Sequence, residues 1–170
     1  MTDDAPLVLG IDPGLQICGW GLVRGGARPS FVACGVIRPS TKDTLSKRLL
    51  TLHQGMVHLV QEHRPDEMAI EDPFVRALAP ASALAIGQAR AMALLVAGQA
   101  EIEASLYAPR AVKAAVSGYG ASDKRQVQTM VRMLLALDVA PEPADAADAL
   151  AVALTHLAQR RMANLAKAHP

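Results

Sequence analysis

A chain of 170 residues, 51% of them hydrophobic, is long enough for one buried core, and its 3% aromatic content makes that core aliphatic. The net charge of +1 is unevenly spread: residues 76–132 carry seven basic side chains and three acidic ones, which favours one surface that faces a polyanion. Cys18 and Cys34 match no metal-ligand spacing, no signal pattern is present, and no apolar run reaches membrane-spanning length. We therefore expect a cytoplasmic protein with free thiols and no membrane partner.

Short apolar runs bounded by turn residues predict five strands, at residues 7–11, 19–23, 31–37, 68–70 and 105–107. The first three are closely spaced and predict an antiparallel meander. Apolar residues at helical spacing predict helices over 45–63, 81–100 and 109–116, a helix capped by Asp123, and a final helix after Pro143. This order predicts a single α/β domain over residues 1–170, with a mixed five-stranded sheet flanked by helices and disordered ends at about 1–6 and 160–170.

Two of the predicted strands end in a carboxylate. Asp12 follows the first strand and Glu71 follows the fourth. Because ligand sites in α/β sheets gather at the carboxyl ends of strands, the two side chains converge if these strands are neighbours. Each acid also has an ordinary alternative role, Asp12 as a turn residue before Pro13 and Glu71 as a strand-end charge.

Two further carboxylates open the final helix. Asp145 and Asp148 stand three residues apart in an Ala- and Leu-rich run, so both lie on one helix face. Their ordinary alternative is a helix start, with Asp145 as N-cap and Asp148 as an acid that complements the helix dipole. Four acids in one place would repel unless cations neutralised them, and carboxylate oxygens suit Mg²⁺ or Mn²⁺. Two such ions can activate water and stabilise the leaving oxygen in phosphodiester cleavage.

The segments that contain these acids resemble the RuvC family of bacterial crossover junction endonucleases. They read LGIDPG at 9–14, AIE at 69–71 and ADAADALA at 144–151, and the likeness continues in GQAR at 87–90, VK at 112–113 and KRQVQTMVR at 124–132. The resemblance implies a ribonuclease-H-like fold, a homodimer, Mg²⁺-dependent cleavage of Holliday junctions in recombination and repair, and a branch-migration helicase as partner. It assigns catalysis and the binding of two metal ions to Asp12, Glu71, Asp145 and Asp148.

The resemblance also implies residues that handle DNA. Phe74 matches the aromatic that stacks on bases near the crossover, and Lys113 and Lys124 match basic residues that act on the DNA backbone. Phe74 lies outside the periodic segments, which suits base stacking, and its ordinary alternative is a loop anchor packed into the core. Three arginines are further candidates for phosphate contacts: Arg125, Arg76 and Arg90. The ordinary alternative for each is an exposed surface charge.

Two positions depart from the family pattern, and one histidine is unassigned. Asp72 and Pro73 stand where the family has an amide and an aliphatic residue; Asp72 either adds charge near the metals or points away, as the next strand position does. His156 lies two turns beyond Asp148 and either approaches the site or packs on the sheet. Because symmetric cleavage of two strands needs an isologous dimer, the apolar stripe of the helix over 45–63 is a candidate interface.

Three other functions fit parts of the sequence. The turn at residues 10–14 also resembles a phosphate-binding loop of sugar kinases and actin-like ATPases, but that function predicts a longer chain with a second Gly-rich loop. A non-catalytic junction-binding protein predicts a broken acid set, whereas all four acids are present. A nuclease that acts on RNA or on other branched DNA within the same fold stays open.

Overall fold

The computed structural model describes residues 5–73 and 79–168, and within them five strands form one mixed sheet. The strands are β1 (Leu7–Asp12), β2 (Cys18–Arg24), β3 (Ser30–Ile37), β4 (Glu67–Glu71) and β5 (Glu103–Tyr107). Their spatial order is β3-β2-β1-β4-β5. The first three form an antiparallel meander, whereas β4 pairs in parallel with both β1 and β5. The mixed five-stranded sheet predicted from the sequence is confirmed, and β1 and β4 are neighbours.

Helices cover both faces of this sheet. In the described part of the chain they are α1 (Leu45–His63), α2 (Pro80–Gln99), α3 (Pro109–Ser117), α4 (Lys124–Leu134) and α5 (Ala144–Ala168). The buried side chains of α1 and α2 pack with Leu9, Ile11 and Ile70 on one face. Those of α3, α4 and α5 pack with Val8 and Ala69 on the other. Cys18 is buried in the first of these cores and Cys34 is half-buried, and both are free thiols as predicted.

α5 extends further than the sequence analysis predicts. Disorder was expected from residue 160, but the helix continues to Ala168. Its last turns are exposed, and Arg160 forms an ion pair with Glu67 at the start of β4. The prediction was wrong because Ala, Leu, Met, Arg and Lys are strong helix formers that prolong a helix already nucleated on the core. At the other end, the carbonyl of Pro6 accepts a hydrogen bond from Gly25 N–H at 2.8 Å, while residues 1–4 lie outside the described residues.

Strand alternation decides which side chains face α5. On β1, residues 7, 9 and 11 belong to the core beneath α1 and α2, so Gly10 and Asp12 face α5. On β4, residues 68 and 70 belong to that same core, so Glu67 and Glu71 face α5. Two carboxylates at neighbouring strand ends are thereby presented to one helix.

Glycines on β1 and β2 let α5 lie backbone to backbone against the sheet. A Cβ added at Gly10 would lie 2.1 Å from the carbonyl oxygen of Ala149, and one added at Gly19 would lie 2.0 Å from that of Asp145. Both distances are far below van der Waals contact, so either side chain would have to displace the helix. The helix contributes small residues to the same seam, with Ala146 and Ala149 fully buried.

α2 differs from the expectation that no apolar run reaches membrane-spanning length. Among the described helices it is the one long and apolar enough to cross a membrane by length and composition, with a mean hydropathy of 1.4. Its inner side packs on the sheet through Ala89, Ala93 and Val96, whereas Leu84 and Leu95 are exposed. Core helices of soluble proteins can have the same length and apolar composition, so these two properties alone are weak support for a membrane span.

We expect Gly19→Ala to destabilise the fold by about 2–3 kcal/mol, because the new Cβ must push the carbonyl of Asp145, and with it the start of α5, away from β2. Urea unfolding monitored by circular dichroism measures this loss. Gly98→Ala is the matched control: Gly98 is exposed in α2 and a Cβ there meets nothing within 4 Å, so helix propensity should stabilise this variant by about 0.5–1 kcal/mol. Equal unfolding midpoints for the two variants would contradict the close approach.

Candidate active site

The structure brings the first two predicted acids together. Asp12 is the last residue of β1 and Glu71 the last of β4, and the parallel register pairs Ile11 with Ile70 immediately before them. Both acids face α5, and both are half-buried. The convergence expected from neighbouring strands is therefore present in the structure.

The start of α5 adds the second pair of acids. Gly19 pairs with Asp12 across the sheet and lies against the backbone of Asp145, which places the first turn of α5 beside the end of β1. Asp145 belongs to that first turn, and the helix already begins at Ala144, so Asp145 is not the N-cap. Asp148 follows on the same helix face. Both are half-buried, and both act electrostatically on Asp12.

The electrostatics show a cluster that is short of positive charge. The pKa of Asp12 is raised to about 8, mainly by burial and then by the three neighbouring carboxylates. The pKa of Glu71 is also raised, first by burial and then by the charge of Asp148, although a hydrogen bond with Asp12 and two nearby lysines oppose the rise. The ionised forms of these carboxyl groups therefore lack sufficient compensation from the protein itself.

Two lysines lie close to the acids. Lys124 Nζ is 2.7 Å from Asp148 Oδ2, and this hydrogen bond is the first cause of a raised pKa for Lys124. The charge of Lys113 acts on Glu71 and opposes the rise of its pKa. Lys124 is the first residue of α4, whose start is fixed by the predicted cap: the Asp123 carboxylate accepts the Gln126 N–H at 2.8 Å. Both lysines assigned to DNA by resemblance thus lie at the acid cluster.

The donor set fits hard divalent cations. All four acids supply carboxylate oxygens, which Mg²⁺ and Mn²⁺ prefer, and a bound cation would favour the ionised forms that burial and mutual repulsion now disfavour. Within residues 5–73 and 79–168, no three acidic, His or Cys side chains are already gathered into a ready ligand group. In this arrangement the Lys124 ammonium supplies the positive charge beside Asp148. Side-chain adjustment on metal binding is therefore expected.

Asp72 points away from the acids. As the residue after Glu71 it falls on the opposite face of the sheet, where its carboxylate forms an ion pair with Arg90 of α2. Its backbone N–H donates to the carbonyl of Tyr107 at 2.8 Å. Of the two alternatives drawn from the sequence, the one that adds charge to the metal site is wrong. Arg90, a candidate phosphate contact, is engaged by this carboxylate.

The remaining DNA-binding candidates are only partly described. Phe74 and Arg76 lie outside the described residues. Arg125 is exposed in the first turn of α4, beside Lys124. The structure thus brings Lys113 and Lys124 to the acids and leaves Arg125 on the adjoining surface.

His156 belongs to a buried polar network that sequence reasoning missed. Its Nδ1 lies 2.8 Å from the hydroxyl of Tyr107, and its Nε2 contacts the carboxylate of Glu67. Burial lowers the pKa of His156. Glu67 starts β4, at the end opposite Glu71, so His156 packs on the sheet away from the acids. The sequence feature that could have indicated this network is Glu67, an acid at the start of an otherwise buried strand.

Comparison with known proteins assigns this arrangement to a family. The family model for crossover junction endodeoxyribonuclease RuvC matches residues 8–156. The chain belongs to the RuvC family. The RuvC of Maricaulis maris is 49% identical over 162 residues, which cover 95% of this chain and 96% of that protein. The RuvC of Afipia carboxidovorans is 47% identical over 159 residues, covering 93% and 92%.

A solved RuvC structure agrees with the fold. T. thermophilus RuvC in complex with a Holliday junction substrate is 34% identical and superposes with a TM-score of 0.86, covering 93% of this chain and 96% of that chain. The ribonuclease-H-like fold implied by the resemblance is therefore confirmed. As a RuvC, the chain is an enzyme, which removes the kinase-like and non-catalytic alternatives. RuvC nucleases depend on a metal, which agrees with the carboxylate donor set.

In EDTA, we expect the contribution of Asp12 to the stability of the protein to fall as the pH rises from about 4 to about 8. The folded-state pKa of Asp12 lies above its unfolded value, so its contribution is fully present below the unfolded pKa and is lost as the pH rises through about 8. Asp12→Asn removes this titration and should be the more stable protein at about pH 8.5, by an amount on the order of 2 kcal/mol. Urea unfolding at about pH 5 and pH 8.5 measures the difference.

Addition of millimolar Mg²⁺ at the higher pH is the control for this prediction. It should raise the unfolding midpoint of the wild type towards its value at low pH, and should change the midpoint of Asp12→Asn much less. A wild type and a variant that respond in parallel to both pH and Mg²⁺ would refute the assignment of the titration to this cluster.

Proposed function

We propose that this RuvC is a metal-dependent endonuclease that cuts four-way DNA junctions at two symmetric phosphodiesters, in recombination and repair. The observation that carries the proposal is the meeting of Asp12, Glu71, Asp145 and Asp148 at one edge of the sheet, beside Lys113 and Lys124. This combination offers oxygen ligands for metal ions and ammonium groups for a phosphate in the same place. Four-way junction DNA is taken as the substrate because the solved relative is bound to one.

We assign the four carboxylates as ligands of two divalent ions, Mg²⁺ or Mn²⁺. When bound, such ions polarise a phosphodiester and lower the pKa of a coordinated water, which makes an attacking nucleophile available at neutral pH. The contribution of the chain is to hold the carboxylates on rigid elements, two at strand ends and two on one helix face. Half-burial of all four limits access of bulk water to the reacting phosphate. The products would carry a 5′-phosphate and a 3′-hydroxyl.

We assign to the two lysines the neutralisation of negative charge on both the acid cluster and the DNA. Without DNA, Lys124 offsets the charge of Asp148 and Lys113 that of Glu71. A phosphodiester brought to the acids adds further negative charge, and we assign both ammonium groups to hold it there. Arg125 extends this basic surface along α4, and Phe74 is assigned to stack on a base near the crossover, with Arg76 as a flanking phosphate contact. Arg90 acts through Asp72, at the start of the segment that carries Phe74.

A homodimer is part of the proposal, because two symmetric cuts require two sites related by a two-fold axis. In the apolar stripe of α1, Leu52, Met56 and Leu59 are buried, so less of that stripe is exposed for association. α2 instead exposes Leu84 and Leu95, which are 64% and 47% exposed and lie eleven residues apart, three full turns along the same face. We therefore assign the interface to α2. A branch-migration helicase and a cytoplasmic location rest on the family and the sequence alone.

We expect Asp145→Asn to abolish metal-dependent junction cleavage while junction binding survives. The loss should exceed the about 10- to 100-fold that removal of an outer-shell partner typically costs, because a direct ligand is removed, whereas affinity comes from basic residues. Symmetric nicking of a synthetic four-way junction in Mg²⁺, with binding measured in EDTA, tests this. Asp138→Asn is the control: Asp138 is exposed in the connection between α4 and α5, and the same charge change there should leave cleavage unchanged. Strong cutting by Asp145→Asn would remove this residue from the site.

We expect Leu84→Arg combined with Leu95→Arg to convert the dimer into monomers, because two charges would face their own symmetry mates across an apolar interface. Light scattering coupled to size-exclusion chromatography reports the mass, and paired nicks on the junction should be lost. Met162→Arg, at a 71% exposed position on α5, is the control that should leave the mass unchanged. A double variant that remains dimeric would place the interface elsewhere.

A further inference from the structure

Tyr119 stands out because its ring is presented to solvent. The side chain is 68% exposed, the most exposed aromatic among the described residues. It lies in the turn between α3 and α4, flanked by Gly118 and Gly120, and Gly118 adopts the left-handed conformation with φ of 78°. Because the ring does not pack into the core, burial of apolar surface does not explain why an aromatic residue stands at this position.

The backbone beneath the ring is held firmly. The carbonyl of Tyr119 accepts hydrogen bonds from the Ser122 hydroxyl at 2.8 Å and from the Ser122 N–H at 3.2 Å. The Ser117 hydroxyl lies 2.7 Å from the Ser122 hydroxyl and 2.6 Å from the carbonyl of Lys113, so its single proton has acceptors closer than Tyr119. Two donors from Ser122 thus fix the Tyr119 peptide while its side chain is exposed. An aromatic ring held this way loses little conformational entropy when it binds.

The surroundings of Tyr119 point to a nucleic acid as the ligand. Five residues after it, Lys124 reaches the catalytic cluster through Asp148. The side chain of Arg110 packs against Gly120 on the other side of the turn. The ring also borders a groove of about 590 Å³ along α4, whose lining includes Ser122, Asp123, Arg125, Gln126 and Thr129. The carboxylate of Asp123 is engaged as the cap of α4, and the basic, hydroxyl and amide groups around the exposed ring are the components of a strand-binding surface.

We propose that Tyr119 is a second aromatic contact to junction DNA, one that stacks on a base or packs on a sugar of the strand leading to the catalytic acids. The proposal rests on the proposed function, because it takes the substrate to be a DNA junction with unpaired or strained bases near the crossover. Tyr119 precedes α4, whose first residue Lys124 contacts Asp148 of the acid cluster.

Junction affinity of ring and non-ring variants tests the contact. Tyr119→Ala and Tyr119→Leu should bind a four-way junction about 5- to 20-fold more weakly in EDTA, the lower part of the range for stacking on one aromatic ring. Tyr119→Phe should remain within about twofold of the wild type, because it keeps the π-face. The salt dependence should not change for any of them, since no charge is lost. Met162→Ala, equally exposed but on the last turns of α5, is the control expected to bind normally.

A fluorescent variant provides a second readout. The indole of Tyr119→Trp should be quenched when the junction is added, beyond any change shown by the wild type, whose single tryptophan is Trp20 on β2. Normal affinity of Tyr119→Ala would overturn the proposal, as would an unquenched indole. Equal weakening of Tyr119→Phe and Tyr119→Ala would overturn stacking in favour of a contact by the hydroxyl.

Cleavage by the wild type separates this proposal from the one on which it rests. If the wild type fails to cut the junction in either metal, the proposed function fails whatever Tyr119 does. If the wild type cuts and Tyr119→Ala binds and cuts equally well, only the contact by Tyr119 is refuted.

Discussion

The position of the four clustered acids depends on how closely α5 approaches the sheet. Gly10 and Gly19 remove the side-chain layer that normally separates a helix from a sheet, and buried alanines on α5 do the same from the other side. The backbone of Asp145 thereby lies against the strand that pairs with Asp12. Asp12 and Asp145 are more than 130 residues apart in the sequence, and they meet because the backbones of β2 and α5 are in direct contact, with no side chains between them.

Electrostatic repulsion opposes the arrangement that this packing enforces. Burial and mutual charge raise the pKa values of Asp12 and Glu71, and the two lysines offset only part of the effect. The fold therefore maintains an unfavourable cluster at the cost of some stability, which is common where a ligand later supplies the missing charge. The buried network of Glu67, Tyr107 and His156 contributes to holding α5 on the sheet at the opposite end of β4.

The sequence predicts those features that depend on local patterns. Apolar runs and turn residues correctly predict the five strands of a mixed sheet, whereas the neighbourhood of β1 and β4, on which the meeting of Asp12 and Glu71 depends, was left open. The alternation of side chains along β4 predicts that Asp72 faces away from Glu71. Its ion pair with Arg90 is a long-range contact, which the spacing of residues in the sequence does not reveal. The apolar stripe of α1 was one candidate interface; the structure adds that both α1 and α2 bury apolar residues in the same core, which the sequence does not show. Disorder was predicted for the final turns of α5 because an exposed helical end has the same polar composition as a disordered segment.

Adjacent residues on β4 serve opposite faces of the sheet. Glu71 belongs to the acid cluster, whereas Asp72 forms an ion pair with Arg90 on α2, the helix to which the proposed dimer interface is assigned. In the proposed dimer, the helix that pairs the two copies and the acid cluster would thus be linked through a single peptide bond and one ion pair. A tilt of α2 on association would then be transmitted to the backbone beside Glu71. In mechanical terms, pairing of the two copies would adjust each site as well as double their number.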